Sequence, residues 1–474
     1  MEVRQRRCKL VCTLGPASSG VDGVRALADA GADVFRINFS HGDAATHEAL
    51  VAAVREVDEE RETDLAVLVD LPGPKIRLGR LAQEPMELRA QQAFVLDPDV
   101  AVGDELHATT TYPDIAGDLR AGDRILLADG AVELLVRAID GRAVACDVVR
   151  GGRVRSGAGV NVPAERLGLP AITERDREGL ARALDLKVDL VAQSFVRTAD
   201  DIDELRVLMG HRAVPIVAKI ETRPAIEDAD AILEEADAIM VARGDLGVEL
   251  PIEEIPVLQK RLLRAAREAG RPAIVATQML ESMVHAPRPT RAEATDVANA
   301  VLEGADAIML SAETAIGEYP IEAARAAVRI AEVAEANVAL GTAPAVVPRD
   351  DEAHGVAAAA SRLAAQLAGV TAIACYTATG RTAGLLAAER PGVPIVAFVP
   401  DRGIRRALAL RWGVVTRSIE VPVDTDRMIA AMDAELRATG LCERGGHVVM
   451  VGSMPAGRTT TNMLKVHEVG EDPV

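Results

Sequence analysis

The chain has 474 residues, of which 49% are apolar, 26% charged and only 2% aromatic, and its formal net charge is −19. That balance describes a globular protein with more than one core, about two to four domains. It works against nucleic acid, whose phosphates need basic residues and whose bases need aromatic platforms, so a phosphorylated ligand must be held by local cations or a metal ion.

The five cysteines, Cys8, Cys12, Cys146, Cys375 and Cys442, are scattered without a zinc spacing and are expected to be buried free thiols in a reducing compartment. The opening stretch begins basic and turns apolar, but Gly15 and Pro16 interrupt it before it resembles a signal peptide. No apolar run reaches membrane-spanning length. A cytoplasmic protein without a membrane partner is expected.

In chain order, strands are predicted at 9–15 (KLVCTLG), 33–39 (DVFRINF) and 65–70 (LAVLVD). The pattern then changes: MELRAQQAFVL, DRILLADGAVELLVRAI and RAVACDVVRGGRV alternate with the turn signals AGD, ADG and DGR. This predicts a small all-β domain inserted at 75–165, placed to act as a lid that excludes water. Strands resume at 189–195, 215–221, 238–244, 273–279 and 307–313, with helical patterns between them, as at 253–270. Each run is continuously apolar and ends abruptly in polar residues, as a strand buried on both faces does. Eight such strands alternating with helices predict a (β/α)8 barrel over 1–74 and 166–340, with its site at the C-terminal strand ends. A Pro/Ala-rich linker, GTAPAVVPRDD, leads into an open α/β domain over 341–474.

The strand ends bring Arg36, Asn38, Ser40, Asp70, Lys219, Glu221, Arg243, Asp245, Thr277, Ser311 and Glu313 toward one mouth. Lys219 and Glu221 share a strand face. Glu221 and Asp245, on neighbouring strands, suit a divalent ion, because Mg²⁺ beside phosphates takes few carboxylates and keeps open positions. The bland alternative is an ion pair lining the barrel. Arg36 and Arg77 are planar forks for phosphate or carboxylate. Together these groups suit phosphoryl transfer, where positioning and charge neutralisation do most of the catalysis; no Walker-type GxxxxGK[ST] string is present. One residue stands out in DLPGPKIRLG (70–79): Lys75 is one of six lysines against 47 arginines.

The strings CTLGPAS, FRINFSHG, GPKIR, KIET, MVARGDLGVELP, ATQMLESM, PRPTRAEATDVANAV and GADAIMLSAETAIGEYP closely resemble the pyruvate kinase family. The resemblance implies transfer of the phosphoryl group of phosphoenolpyruvate to ADP, giving pyruvate and ATP in the last step of glycolysis, with Mg²⁺ or Mn²⁺. By position it implies that Lys219 neutralises the phosphoryl group and that Glu221 and Asp245 hold the divalent ion. Arg36 and Arg77 would grip phosphoryl oxygens, and the backbone at Ala242, Gly244 and Asp245 would meet the substrate carboxylate. Thr277 would mark where the enolate is protonated, through water linked to Ser311 and Glu313. Arg36, Asn38 and His41 would hold the nucleotide.

Two departures from the family pattern matter. Most members have Thr and Glu at the positions of Leu71 and Lys75, and bind potassium through residues matching Asn38, Ser40, Asp70 and the Leu71 carbonyl. The Leu71/Lys75 pair is similar to the potassium-independent branch, which implies that the Lys75 ammonium replaces that ion, since both cations together would repel. The family lysine before GVNLPG is Ala158 here, and the closing glycine is Ala164. Lid-side nucleotide contacts then fall to Arg153 or Arg155, or ADP is held through its metal with Arg36, Asn38 and His41.

The hydroxyl-rich loop TATGRTA, with Thr377, Thr379, Gly380, Arg381 and Thr382, resembles the family's effector-phosphate loop, with GRTTTN (457–462) as a second wall. A sugar phosphate or nucleotide monophosphate is the implied allosteric effector; an N-capped helix without ligand is the alternative. A homotetramer is expected by analogy. Competing readings are a metal-dependent barrel lyase or aldolase acting on pyruvate-like acids, and a catalytically silent metabolite sensor.

Overall fold

The computed structural model describes residues 6–163, 166–337, 351–453 and 460–471. Eight parallel strands close a barrel in chain order: Lys9–Thr13, Val34–Asn38, Ala66–Leu71, Leu190–Gln193, Ile216–Ile220, Ala238–Ala242, Ala273–Ala276 and Ala307–Leu310. Alternate residues explain why both faces of each strand are apolar. Val11, Val34, Leu68, Val217, Met240 and Met309 fill the interior, while Leu10, Phe35, Val69, Ile239 and Val275 pack against the outer helices.

Several strands stop sooner than their apolar runs predict. The fourth ends at Gln193, just before Phe195 at φ 56°, and the seventh ends at Ala276, before Thr277 and Gln278 at φ 70° and 54°. The sixth passes at once into the helix Arg243–Glu249, and the eighth into the short helix Ala312–Ala315. A left-handed residue or a helical turn cannot extend a ladder, so the chemistry-bearing residues sit in tight turns above the strands.

The third and fourth strands are separated by the expected β-rich insert. Its six-stranded sheet runs in the order Val160–Asn161, Arg124–Leu127, Val132–Asp140, Ala143–Arg150, Ala93–Leu96 and His107–Ala108, and Met86–Leu88 pairs with Gly152–Val154. It has its own core, including Leu88, Phe94, Ile125 and Leu134. The hinge is set by Gly73, whose φ of 67° suits glycine and whose N–H donates to Asp176 at 2.9 Å.

The C-terminal sheet has the order Val414–Arg417, Ile395–Phe398, Val370–Tyr376, His447–Gly452 and Met463–Glu468. Its last strand is antiparallel and was not expected from the sequence. The linker at 341–350 and Ala164 lie outside the described residues. All five cysteines are free and buried. Among the described residues no helix is long and apolar enough to cross a membrane.

Candidate active site

Lys219, on the fifth strand, places its ammonium 2.9 Å from Glu221, 3.3 Å from Asp70 and 2.7 Å from the Ser194 hydroxyl. Burial alone would pull this lysine down, but Asp70 and Glu221 outweigh it and hold the ammonium above its ordinary value. Asp70 is the penultimate residue of the third strand. Burial pushes it up, yet Lys219 and Arg36 bring it below the ordinary carboxylate value. Arg36 reaches it from the second strand with Nε at 2.8 Å and a terminal nitrogen at 2.7 Å, and donates also to Thr13 at 3.1 Å.

Glu221 accepts from the Phe195 N–H at 2.9 Å. Its carboxyl is pushed up by burial and by the nearby Asp245 and Asp70, against the pull of Lys219. Asp245 lies in the first turn after the sixth strand. Its partner is the Lys75 ammonium, at 2.9 Å, which also lies 5.8 Å from the centre of the Phe195 ring. Among the described residues, no group of three or more His, Cys, Asp or Glu side chains is placed to hold a metal. Glu221 and Asp245 nevertheless supply the hard oxygen donors that Mg²⁺ or Mn²⁺ takes when substrate oxygens and water complete the shell.

The remaining candidates divide between those at the mouth and those held in its frame. Thr277 accepts from the Gly244 N–H at 2.8 Å and donates to the Ala276 carbonyl at 2.6 Å. Its φ of 70° is a strained conformation for a β-branched residue. Arg243 turns away to Asp296 at 2.7 Å and to the Thr277 carbonyl at 2.8 Å, bracing that turn. Glu313 is fully buried and accepts from the Leu280 and Ser311 N–H groups, at 3.0 and 2.7 Å. Its carboxylate therefore shapes the loop under Thr277.

Asn38 pairs in register with Asp70 and accepts from the Ser40 N–H at 2.9 Å, so Asn38, Ser40, Asp70 and Leu71 cluster at the second and third strand ends. Lys75 goes elsewhere, to Asp245. Arg77 donates to the Gly157 carbonyl at 3.0 Å on the lid side. Ala158 sits in the same strip, its carbonyl taken by the Leu78 N–H at 2.8 Å. Arg153 and Arg155 are exposed. His41 has its pKa lowered first by lost water contact and then by the positive charges of Arg77, Arg36 and Arg175.

In the C-terminal loop, Thr377 accepts from the Gly380 N–H at 3.0 Å and Thr379 from the Arg381 N–H at 3.4 Å. Arg381 pairs with Asp351, and Thr382 bonds Thr461 at 2.6 Å, so the second wall does meet the loop. Gly457 to Thr459 lie outside the described residues.

Sequence reasoning did not single out Ser194, Thr13, Phe195 or Arg175. Ser194 was within reach, as a polar residue closing the run DLVAQSF; Arg175, in the first turn of the helix Glu174–Asp185, carried no local signal. It donates to the Phe39 and Ser40 carbonyls at 3.2 and 3.1 Å.

Comparison with known proteins agrees with this architecture. The profile described as pyruvate kinase, barrel domain, matches residues 5–324, and that of pyruvate kinase, alpha/beta domain, matches 354–467. A curated pyruvate kinase of Mycobacterium intracellulare is 44% identical over 99% of this chain and 100% of its own length. One from Geobacillus stearothermophilus is 40% identical over 98% of this chain and 81% of its own. The crystal structure of a pyruvate kinase from Cryptosporidium parvum superposes with a TM-score of 0.91 at 32% identity, covering 98% of this chain and 96% of that one. With a closed eight-stranded barrel, a β-rich insert, a C-terminal α/β unit and full-length relatives, the chain belongs to the pyruvate kinase family, phosphotransferases that act on phosphoenolpyruvate and ADP with a divalent metal.

Proposed function

We propose that the family reaction, phosphoenolpyruvate and ADP to pyruvate and ATP, runs in the mouth around Lys219. The observation that carries this is the buried Lys219 ammonium, 2.9 Å from Glu221 and held charged beside two carboxylates. In a chain this acidic, such a cation stabilises a phosphoryl group in transit and the enolate it leaves behind. Arg36 and Arg77 hold phosphoryl oxygens. The turn Ala242–Asp245 positions the substrate carboxylate, and Thr277 marks the face on which the enolate is protonated, its loop set by Glu313 and Ser311. Arg36, Asn38 and His41 take the nucleotide.

Glu221 and Asp245 hold Mg²⁺ or Mn²⁺, which when bound neutralises charge on the substrate oxygens. Lys75, which rests on Asp245 and not among Asn38, Ser40, Asp70 and Leu71, supplies within the mouth the positive charge that potassium gives other members, and makes the enzyme independent of that ion. The loop Thr377–Thr382 takes a phosphorylated effector, the chain works as a cytoplasmic homotetramer, and its units divide at about residues 75, 166 and 341.

The test is the initial rate of ADP-dependent pyruvate formation with Mg²⁺, in potassium chloride against tetramethylammonium chloride at equal ionic strength. Equal rates for wild type, with potassium dependence appearing in Lys75→Glu, are expected. A wild type that needs potassium removes Lys75 from the monovalent role. Pyruvate release without ADP would favour the lyase reading.

A further inference from the structure

The hinge between barrel and lid delivers a scarce lysine to a carboxylate needed for another purpose. Lys75 follows Pro72, Gly73 and Pro74, and its own N–H donates to the Gly73 carbonyl at 2.9 Å. The hinge is pinned to the barrel through Gly73 and Asp176. The lysine stem runs past Gly159, where a Cβ would lie only 3.3 Å from Cε, so the lid strand leaves room for it. Its ammonium ends 2.9 Å from Asp245, with both side chains about three-quarters buried at 26% and 24% exposure. Phe195 covers the ammonium with its ring and holds Glu221 with its backbone N–H. The lysine is thus positioned from several sides, and both carboxylates proposed for the metal carry an ammonium: Lys219 on Glu221 and Lys75 on Asp245.

We infer that Lys75 is a placeholder for the divalent ion, pairing with Asp245 in the metal-free enzyme and giving up that carboxylate when the metal binds. This rests on the reading that Glu221 and Asp245 are the metal ligands. A metal ion and a paired ammonium cannot share one carboxylate oxygen, and at that separation two cations repel. Metal binding to the substrate-free enzyme is therefore an exchange: the intrinsic affinity of the two carboxylates is reduced by the cost of breaking the Lys75–Asp245 pair. Because Lys75 is on the hinge, the exchange also frees the lid side of the mouth from the sixth strand. Asp70 and Glu221 already have Arg36 and Lys219, so in the metal-free state it is Asp245 that Lys75 spares from standing beside them as an uncompensated charge.

The experiment is calorimetric titration of Mn²⁺ into substrate-free protein, with free Mn²⁺ checked by its electron paramagnetic resonance signal. Lys75→Met is expected to tighten Mn²⁺ binding roughly three- to fivefold, the upper part of the range for loss of one partly exposed ion-pair competitor. Lys75→Gln should do the same, and Lys75→Arg should keep wild-type affinity. Asp245→Asn should weaken binding strongly. If Lys75→Met and Lys75→Gln, both folded by circular dichroism, bind Mn²⁺ within twofold of wild type while Asp245→Asn does not, the placeholder role is overturned and the metal reading survives. If Asp245→Asn binds Mn²⁺ as wild type does, both fall.

Discussion

At the N-terminal end of the barrel, Asp58 has no exposed surface; it accepts from the Leu65 N–H at 2.7 Å and pairs with Arg402 and Arg406 of the C-terminal unit at 3.1 and 2.6 Å. Glu335 accepts from the N–H groups of Arg7 and Cys8, at 2.8 and 2.7 Å, and from the Trp412 indole at 3.2 Å. Trp412 lies between Arg390 and Arg7, at 4.7 and 5.4 Å from its ring centre, and the adjacent Leu410 enters the barrel's inner core. At the C-terminal mouth, Asp70, Glu221 and Asp245 are matched instead by Lys219, Lys75, Arg36 and a serine hydroxyl. The lower cluster is satisfied largely by backbone N–H groups and cross-domain guanidinium forks. The upper one has one guanidinium fork, Arg36, and one backbone N–H, that of Phe195, but its other partners are the ammonium groups of Lys219 and Lys75, and it stands on strained backbone. Buried charge ties the units together at one end and, under the function proposed above, serves catalysis at the other.

The largest effect that would sharpen this contrast is on catalysis. Lys219→Met should lower kcat by about a thousandfold, the scale of losing a principal electrostatic donor, with the KM for phosphoenolpyruvate changed far less. A loss under tenfold would remove the lysine from the centre of the chemistry. At the other end, Trp412→Ala should lower stability by about 3–5 kcal/mol in urea denaturation, as loss of a buried aromatic does. Mn²⁺ affinity should not move in that variant. A shifted Mn²⁺ affinity would show that the two ends are not independent.

A smaller effect isolates the strain. Thr277→Gly relieves the positive φ but loses the hydroxyl bonds to Gly244 and Ala276. Strain relief of about 1–3 kcal/mol and lost bonds of about 1 kcal/mol each should nearly cancel, while turnover falls about a hundredfold as the turn loses its position. Thr277→Ala keeps the strain and loses the bonds, so it should be the less stable of the two. The reverse order of melting temperatures would mean that the turn is not strained.

The barrel was legible because continuous apolar runs such as Ile216–Ile220 register burial on both faces, and eight of them leave few architectures. Strand ends were not, because Thr277 and Phe195 adopt positive φ only under tertiary constraint and neither residue type announces it. Lys219 and Glu221 could be paired from strand periodicity alone. That Lys75 reaches Asp245 depends on how the hinge crosses the sixth strand, 170 positions away in sequence. Trp412 was equally silent: one aromatic in ALALRWG has no pattern, and its role follows from the packing of the C-terminal unit under the barrel. The strand Met463–Glu468 was missed because the apolar residues of MLKVHE lack the continuous run by which the buried strands were found.

His41 carries the comparison to its smallest scale, since it reads the field of the mouth without belonging to its ion pairs. Reduced water contact and the repulsion of Arg77, Arg36 and Arg175 favour the neutral ring, so its pKa lies below the ordinary value of 6.5. The sign follows directly: the unfolded chain takes up this proton first as pH falls, so any stability tied to His41 is present above 6.5 and declines as pH drops below it. Titration of its imidazole by NMR should give a midpoint under 6.5 that rises in Arg175→Gln, where one repelling charge is gone. Saturating ADP should raise it further, because the negative charge of bound phosphates opposes the field of these arginines that keeps the ring neutral. A midpoint unmoved by ADP, in protein that binds the nucleotide, would place the phosphates away from His41 and shift the nucleotide contact toward the lid.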